Sequence, residues 1–386
     1  MLQTLHPFVP CGLADMDTKH QWLSLALTPG LGPATLRKLV ERFGSARHIL
    51  AASRQELAEC SFLRKDSLAG LCDQKLIAAA AADRELQLAE KSGIIILCWD
   101  DPLFPPLLKE INDPPPILYV KGAPQLLRAP GIAMVGARAA SSYGLQVAER
   151  LAKELAGHDL VITSGFALGI DTAAHKGALA AGGNTIAVMG CGLDIVYPGQ
   201  NKKLHEQIAD HGAIISESPL GTMPEGFRFP ARNRIISGLS LGVVVVEAAI
   251  RSGTLITAHQ ALEQGRDVFA IPGRIDSPKS EGCHRLIQEG AKLVHNGADI
   301  LEELALSAPA SAPAIHPPAP PLPPEEGKIF SLLEVYPKNI EEIIQAARLP
   351  AHRISEILLH LELQGLVASL PGNQYQRLAE PHSSSV

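Results

Sequence analysis

Aromatic residues are scarce in this chain, at 4% of 386 positions, although hydrophobic residues make up 46%. The core must therefore come from Ala, Leu, Ile and Val, which suits parallel strands covered by helices. Positive charge is not in excess either, since the formal net charge is −6. That excludes a global pull toward nucleic acid or an anionic membrane, though not a local basic cleft. The six cysteines, at 11, 60, 72, 98, 191 and 283, include no C-x-x-C pair. Their scatter excludes a zinc ribbon or a disulfide scaffold and implies a reducing compartment. No apolar run reaches the roughly 18 residues of a membrane span. Met1 to Gly12 lack the basic start and apolar centre of a signal peptide. A soluble, cytoplasmic protein with no membrane partner is expected.

Several catalytic signatures are missing too. There is no G-x-x-x-x-G-K-S/T, so no P-loop. Gly190-Cys191-Gly192 begins a dinucleotide fingerprint, but Ile195 stands where the third glycine belongs. No G-x-S-x-G elbow and no H-E-x-x-H occur. No metal, cofactor or catalytic residue is expected.

Patterned segments are present along most of the chain. Residues 19–92 read as a helical domain, with apolar positions three and four apart at Leu23, Leu27, Leu36, Leu39, Val40 and Phe43. Pro29-Gly30-Leu31-Gly32-Pro33 resembles a helix-hairpin-helix turn, although such turns are more often tight connections. Another helix over 74–92 ends at Gly93. From 94 the period changes. Short apolar runs at 94–97, 117–120, 132–135, 160–163, 185–189, 213–216, 242–246 and 267–271 have buried-strand character. Helical patterns at 143–156, 169–181, 202–210 and 253–264 lie between them. This alternation predicts an α/β fold over 94–306, a Rossmann-like, doubly wound parallel sheet. Residues 307–324 hold eight prolines and read as an extended linker. Residues 325–378 show three helices and a hairpin, the pattern of a winged helix.

In a doubly wound sheet the strand C-terminal ends share one edge. That edge would collect Gly136 and Arg138, Ser164 and Gly165, Lys202 and Lys203, and Gly253 and Thr254. The block Phe229-Pro230-Ala231-Arg232-Asn233-Arg234 lies just before the 242–246 strand. Small residues at helix starts present backbone N–H groups to anions. Guanidinium groups favour phosphate oxygens. The competing reading pairs these arginines with Glu217 and Glu247. Phe229 either stacks on a base or belongs to the core. Asp171 and His175, four apart, would bond on one helix face.

These motifs carry a resemblance. Ser164-Gly165, Gly169-Ile170-Asp171, Ala174-His175, Tyr197-Pro198, Asn201-Lys202, the 229–236 block, Arg251 to Ala258, Pro272-Gly273 and Gly282-Cys283-His284 are similar to those of the DNA-processing protein A (DprA/Smf) family. The likeness covers about residues 95–305. It implies an extended Rossmann-like domain that binds single-stranded DNA, hands the strand to the RecA recombinase in natural transformation, and forms a homodimer. It places Arg138, Lys202 and the Phe229 to Arg234 block in the strand-binding pocket, with Lys203 as a neighbouring charge. It puts self-association near Cys283 to Leu293. The alternative is a nucleotide-binding or nucleotide-cleaving enzyme of the lysine-decarboxylase-like phosphoribohydrolase type. Thr257, however, occupies the place of that enzyme's catalytic glutamate, and a hydroxyl is no carboxylate base. The final domain carries five Lys or Arg against seven Glu over 325–378, which suits protein contact better than groove reading.

Overall fold

The computed structural model describes residues 17–306, 322–334 and 336–378. Most of the expected linker, 307–321, lies outside them. One compact unit holds the N-terminal helices and a large sheet, and a second holds the C-terminal segment.

Nine strands form the large sheet: β1 (Ile95–Cys98), β2 (Ile117–Gly122), β3 (Gly131–Val135), β4 (Val161–Ser164), β5 (Thr185–Val188), β6 (Ala213–Ser216), β7 (Gly242–Val245), β8 (Asp267–Ala270) and β9 (Lys292–Leu293). Their spatial order is β1-β2-β6-β5-β4-β3-β7-β8-β9. Seven run parallel, from β6 across to β9. The edge pair differs from a purely parallel sheet: β2 lies antiparallel to both β1 and β6. Strands β3 to β7 are wholly buried, which is why they read as continuous apolar runs rather than alternating ones. The chain leaves β3 toward β4 on one side, while β7 occupies the other. That makes the C-terminal end of β3 the topological switch point.

Helices cover both faces. The Ser142–Ala156 helix turns Val147, Ala148, Leu151, Ala152 and Leu155 inward, the three-and-four spacing of a buried stripe. A helix not anticipated from the sequence spans Arg228–Gly238, so the basic block is helical. The N-terminal helices, expected as a separate domain, share one core with the sheet: Trp22, Leu25 and Ala89 cluster with Ile96, Tyr119 and Leu204. The Gly30 turn packs inward as well, its carbonyl accepting the Ser67 hydroxyl at 2.6 Å.

In the C-terminal unit, helices Pro324–Leu332, Ile340–Ala347 and Ala351–Leu363 precede strands Val367–Leu370 and Gln374–Arg377, and Lys338–Asn339 adds a third strand. Ile343, Ile354, Leu358 and Leu361 form its core. Among the described residues no helix is long and apolar enough to cross a membrane.

Candidate nucleic-acid interface

Two adjoining hollows open at the switch point. The larger, about 570 Å³, is lined by Gly136 and Arg138 after β3, Asp171, Phe229, Arg232 and Asn233 on the Arg228–Gly238 helix, and Gly253, Thr254 and Thr257 after β7. The smaller, about 340 Å³, shares Arg138, Tyr197, Phe229 and Arg232 with it and adds Gly165, Met189 and Cys191. Loops from distant parts of the chain thus meet where the topology requires.

The walls carry an aromatic and cationic layer. Phe229 is half-buried and stacks on Tyr197, with ring centroids 5.8 Å apart and planes 27° apart. The Arg138 guanidinium lies 5.2 Å from the Phe229 centroid, a cation–π contact. Arg138 is exposed and makes no ion pair among the described residues. Its charge is available to an anion.

Arg232 is held differently. It is 5% exposed, and Nη1 donates to the carbonyls of Gly165, at 2.6 Å, and Val188. Its Nε has no partner among the described residues. Burial pulls its pKa down to about 10, with Asp171 opposing that shift, so it stays charged at neutral pH. Gly165 sits between the two groups: a Cβ there would fall 2.7 Å from Asp171 Oδ2 and 2.8 Å from Arg232 Nη2. Burial pushes the Asp171 carboxyl up to about 6, partly offset by Arg232, the Ala167 N–H and Arg138. Gly169 has φ +83°, and a Cβ there would lie 2.3 Å from the Ala137 carbonyl oxygen. Only glycine lets the loops after β3 and β4 approach this closely.

Not every expected residue reaches the cleft. Ser164 is fully buried and its hydroxyl donates to Met134 O at 2.7 Å, so it ties β4 to β3 and faces no ligand. Lys202 and Lys203 begin the Lys202–His211 helix, exposed and without an ion-pair partner among the described residues, but line neither hollow. Asn201 beside them anchors the loop after β4, donating to Phe166 O and Thr172 Oγ1 at 3.2 and 2.8 Å. Arg234 follows the competing reading. Its two terminal nitrogens meet both Glu217 oxygens at 2.7 and 2.6 Å, and Nε lies 2.9 Å from Asp113 Oδ2. Two residues along a helix is about 200° of rotation, so Arg232 and Arg234 must face opposite ways. The Asp171–His175 pairing is also corrected. His175 Nδ1 lies 2.7 Å from Thr185 Oγ1, whose hydroxyl donates to Ile162 O. Burial, with Arg232 adding to it, pushes His175 down to about 3, and it stays neutral. Tyr197 was passed over as a site residue. Tyr197-Pro198 is one of the motifs that carry the family resemblance, but that likeness gave Tyr197 itself no contact.

The family described as DNA recombination-mediator protein A matches residues 95–305. Protein Smf of Synechocystis is 34% identical over 92% of this chain and 98% of its own length. This chain belongs to the DNA-processing protein A family. The family member from Streptococcus pneumoniae, DNA processing protein DprA, is 53% identical over 53% of this chain and 72% of its own. The X-ray structure of DNA processing protein A from that species matches with TM-score 0.67 and 42% identity, covering 75% of this chain and 99% of that one. A structure of the Helicobacter pylori DNA processing protein A, described for its single-stranded DNA binding mode, matches with TM-score 0.50 and 34% identity over 55% of this chain and 95% of its own. The family's winged helix domain matches residues 311–373. In the third helix of that domain, Arg353 is held by Glu325 and Glu356 at 2.9 and 2.8 Å, and His360 by Glu326 at 2.9 Å. These two side chains are already partnered by carboxylates.

Proposed function

We propose that this chain binds single-stranded DNA across the switch-point cleft and acts as a recombination mediator that passes the strand to the RecA recombinase. The observation that carries the reading is the Tyr197–Phe229–Arg138 layer beside a charged, backbone-held Arg232. An exposed face of Phe229 or Tyr197 can stack on any base, which contributes roughly 1–3 kcal/mol per base without sequence preference. Arg138 and Arg232 supply the charge that phosphates require, and Lys202 with Lys203 extends it outside the cleft. Gly136, Gly165, Asn233, Gly253 and Thr254 complete the proposed contact set. Ser164 and Arg234 are left out of it, on burial and pairing respectively.

The function is binding without turnover. Thr257 is 1% exposed and carries a hydroxyl where the related nucleotide-cleaving enzymes need a carboxylate. Among the described residues no cluster of His, Cys, Asp or Glu could hold a metal ion. The acting species is a homodimer in the cytoplasm, and natural transformation is the setting the family suggests. The carboxylate-paired Arg353 and His360 on the third helix of the winged helix fit contact with protein better than a second DNA site.

A salt-series titration against single- and double-stranded oligonucleotides tests this, with AMP, ATP and NAD as competitors and turnover controls. Tighter binding to the single strand that weakens with salt, with no nucleotide cleaved, is expected. Equal affinity for both forms, or ribose 5-phosphate release from AMP, would overturn the reading.

A further inference from the structure

The cleft has a second, chemically different wall. It is built by the Gly253–Glu263 helix, whose first turn lines the larger hollow together with the aromatic layer. Ser252 caps this helix by accepting from Thr254 N at 3.2 Å. The Gly253 N–H has no partner among the described residues, and a Cβ built on Gly253 would meet nothing within 4 Å. The positive end of the helix therefore opens onto free space.

Helix starts of this kind are common, and the deciding feature is one turn further in. Thr257 is 1% exposed and lines the same hollow. Its hydroxyl has no hydrogen-bond partner among the described residues and is not sealed off from the hollow. Helical threonines usually bond the carbonyl four residues back, as Thr28 does to Ser24 O here at 2.8 Å. An unpartnered, nearly buried hydroxyl costs free energy unless a ligand or water satisfies it. The Asn233 side chain, half-buried on the neighbouring helix, is likewise without a partner among the described residues.

We propose that Gly253 N–H, Thr257 Oγ1 and the Asn233 amide form a subsite for a terminal phosphate group. The inference rests on the strand-binding reading and deepens it. Three donors of different origin, set beside Arg138 and Arg232, match a phosphomonoester. A monoester offers three free oxygens, whereas an internal phosphodiester offers two. A nearly buried hydroxyl is also reached more readily by a chain end than by the middle of a strand. Asp171 lines the same hollow and is the one acidic group there among the described residues, so bound phosphate sits closer to the helix start than to Gly165. The shared chemistry is the monoester, whether on a strand end or on a free nucleotide.

The test uses the full chain with one oligonucleotide in three forms: 5′-phosphorylated, 3′-phosphorylated and unphosphorylated. Free dAMP and inorganic phosphate serve as separate probes. Wild type is expected to favour one phosphorylated form by about tenfold, the effect of a charge-assisted hydrogen bond or two. Thr257→Val keeps the shape and removes the hydroxyl, and should abolish that preference. Its melting temperature should hold or rise, since an unpartnered hydroxyl is lost. Asn233→Ala, at a half-exposed position, should reduce the same preference and guards against a folding failure at Thr257. Binding of dAMP that Thr257→Val abolishes would add free nucleotides as a source. No binding of dAMP, with the strand preference intact, would assign the subsite to strand ends. Equal affinity for all three forms in the wild type, or a preference that survives both variants, would overturn the proposal. If no oligonucleotide binds at all, the dAMP and phosphate titrations still read the subsite, so the two readings fail separately.

Discussion

Replacing Arg234 by alanine should cost stability and leave strand binding alone. Its side chain is 6% exposed, Glu217 is 23% exposed and Asp113 is 46% exposed. Water screens the Asp113 contact, so Glu217 carries most of the effect. Burial disfavours the Arg234 charge, but Glu217 and Asp113 more than compensate and hold it above its ordinary range. Removing the guanidinium leaves the Glu217 carboxylate in a site built for its partner. Breaking a buried pair this way costs about 3–5 kcal/mol, and the partial exposure of Glu217 points to about 3. At about 2–4 °C per kcal/mol for a unit of this size, the melting temperature should fall by roughly 6–12 °C. The double variant Arg234→Met with Glu217→Met should recover most of that loss, because no charge is then stranded. Thermal melts and salt titrations on the same samples check both halves. An Arg234→Ala protein that melts like wild type but loses strand affinity would refute the reasoning and return Arg234 to the DNA.

Three further outcomes follow from the cleft. Arg138→Ala should weaken single-strand binding and reduce the log–log salt slope by about 0.7, with Lys202→Ala acting likewise; three contacts from Arg138, Arg232 and Lys202 give a total of about −2. Gly165→Ala should displace Arg232 or Asp171, since the new Cβ would fall under 3 Å from both; a melt and titration indistinguishable from wild type would contradict that geometry. Asp171 has its carboxyl raised to about 6, so strand affinity should climb as pH falls from 7 to 5.5 and the negative charge beside Arg232 is lost. Its raised value also means that it opposes folding at pH 7, a cost relieved as pH drops through about 6 toward 4. Asp171→Asn should flatten the affinity profile at its low-pH level, and an unchanged profile in that variant would remove Asp171 from the account.

Legibility in the sequence followed the environment of each segment. Strands β3 to β8 were readable because unbroken apolar runs such as Val243 to Val246 have few other fates. The antiparallel placement of β2 was not, because orientation is a matter of pairing rather than composition. The Arg228–Gly238 helix escaped notice because it is buried on several sides, with Arg232, Arg234, Ile235 and Ile236 all inside. Its polar residues, Arg228, Arg232, Asn233 and Arg234, are spread around the axis rather than gathered on one face, so it shows no amphipathic stripe. The position of Arg138 on the edge of strand C-terminal ends was foreseeable from topology, whereas Phe229 was left open between stacking and core. The division between Arg232 and Arg234 was half legible: Glu217 stood as a candidate partner, but Asp113 and the helix that turns the two arginines apart did not. His175 teaches the same lesson: Asp171 is four residues away, yet the partner is Thr185 on the neighbouring strand.

The two arginines also live under different evolutionary rules. Arg232 is gripped by main-chain oxygens at the ends of β4 and β5, and every residue type carries such an oxygen. Substitutions at Val188 can drift without releasing it, provided the strand keeps its path. Arg234 also meets main-chain oxygens, those of Asp113 and Ala231 at 3.0 Å, but its charge is balanced by the Glu217 carboxylate, so it should change in concert with Glu217. Across diverging sequences, position 234 should covary with 217, while the anchor of 232 should leave no such trace. A search for coupled positions would therefore find the structural arginine and overlook the one that faces the cleft.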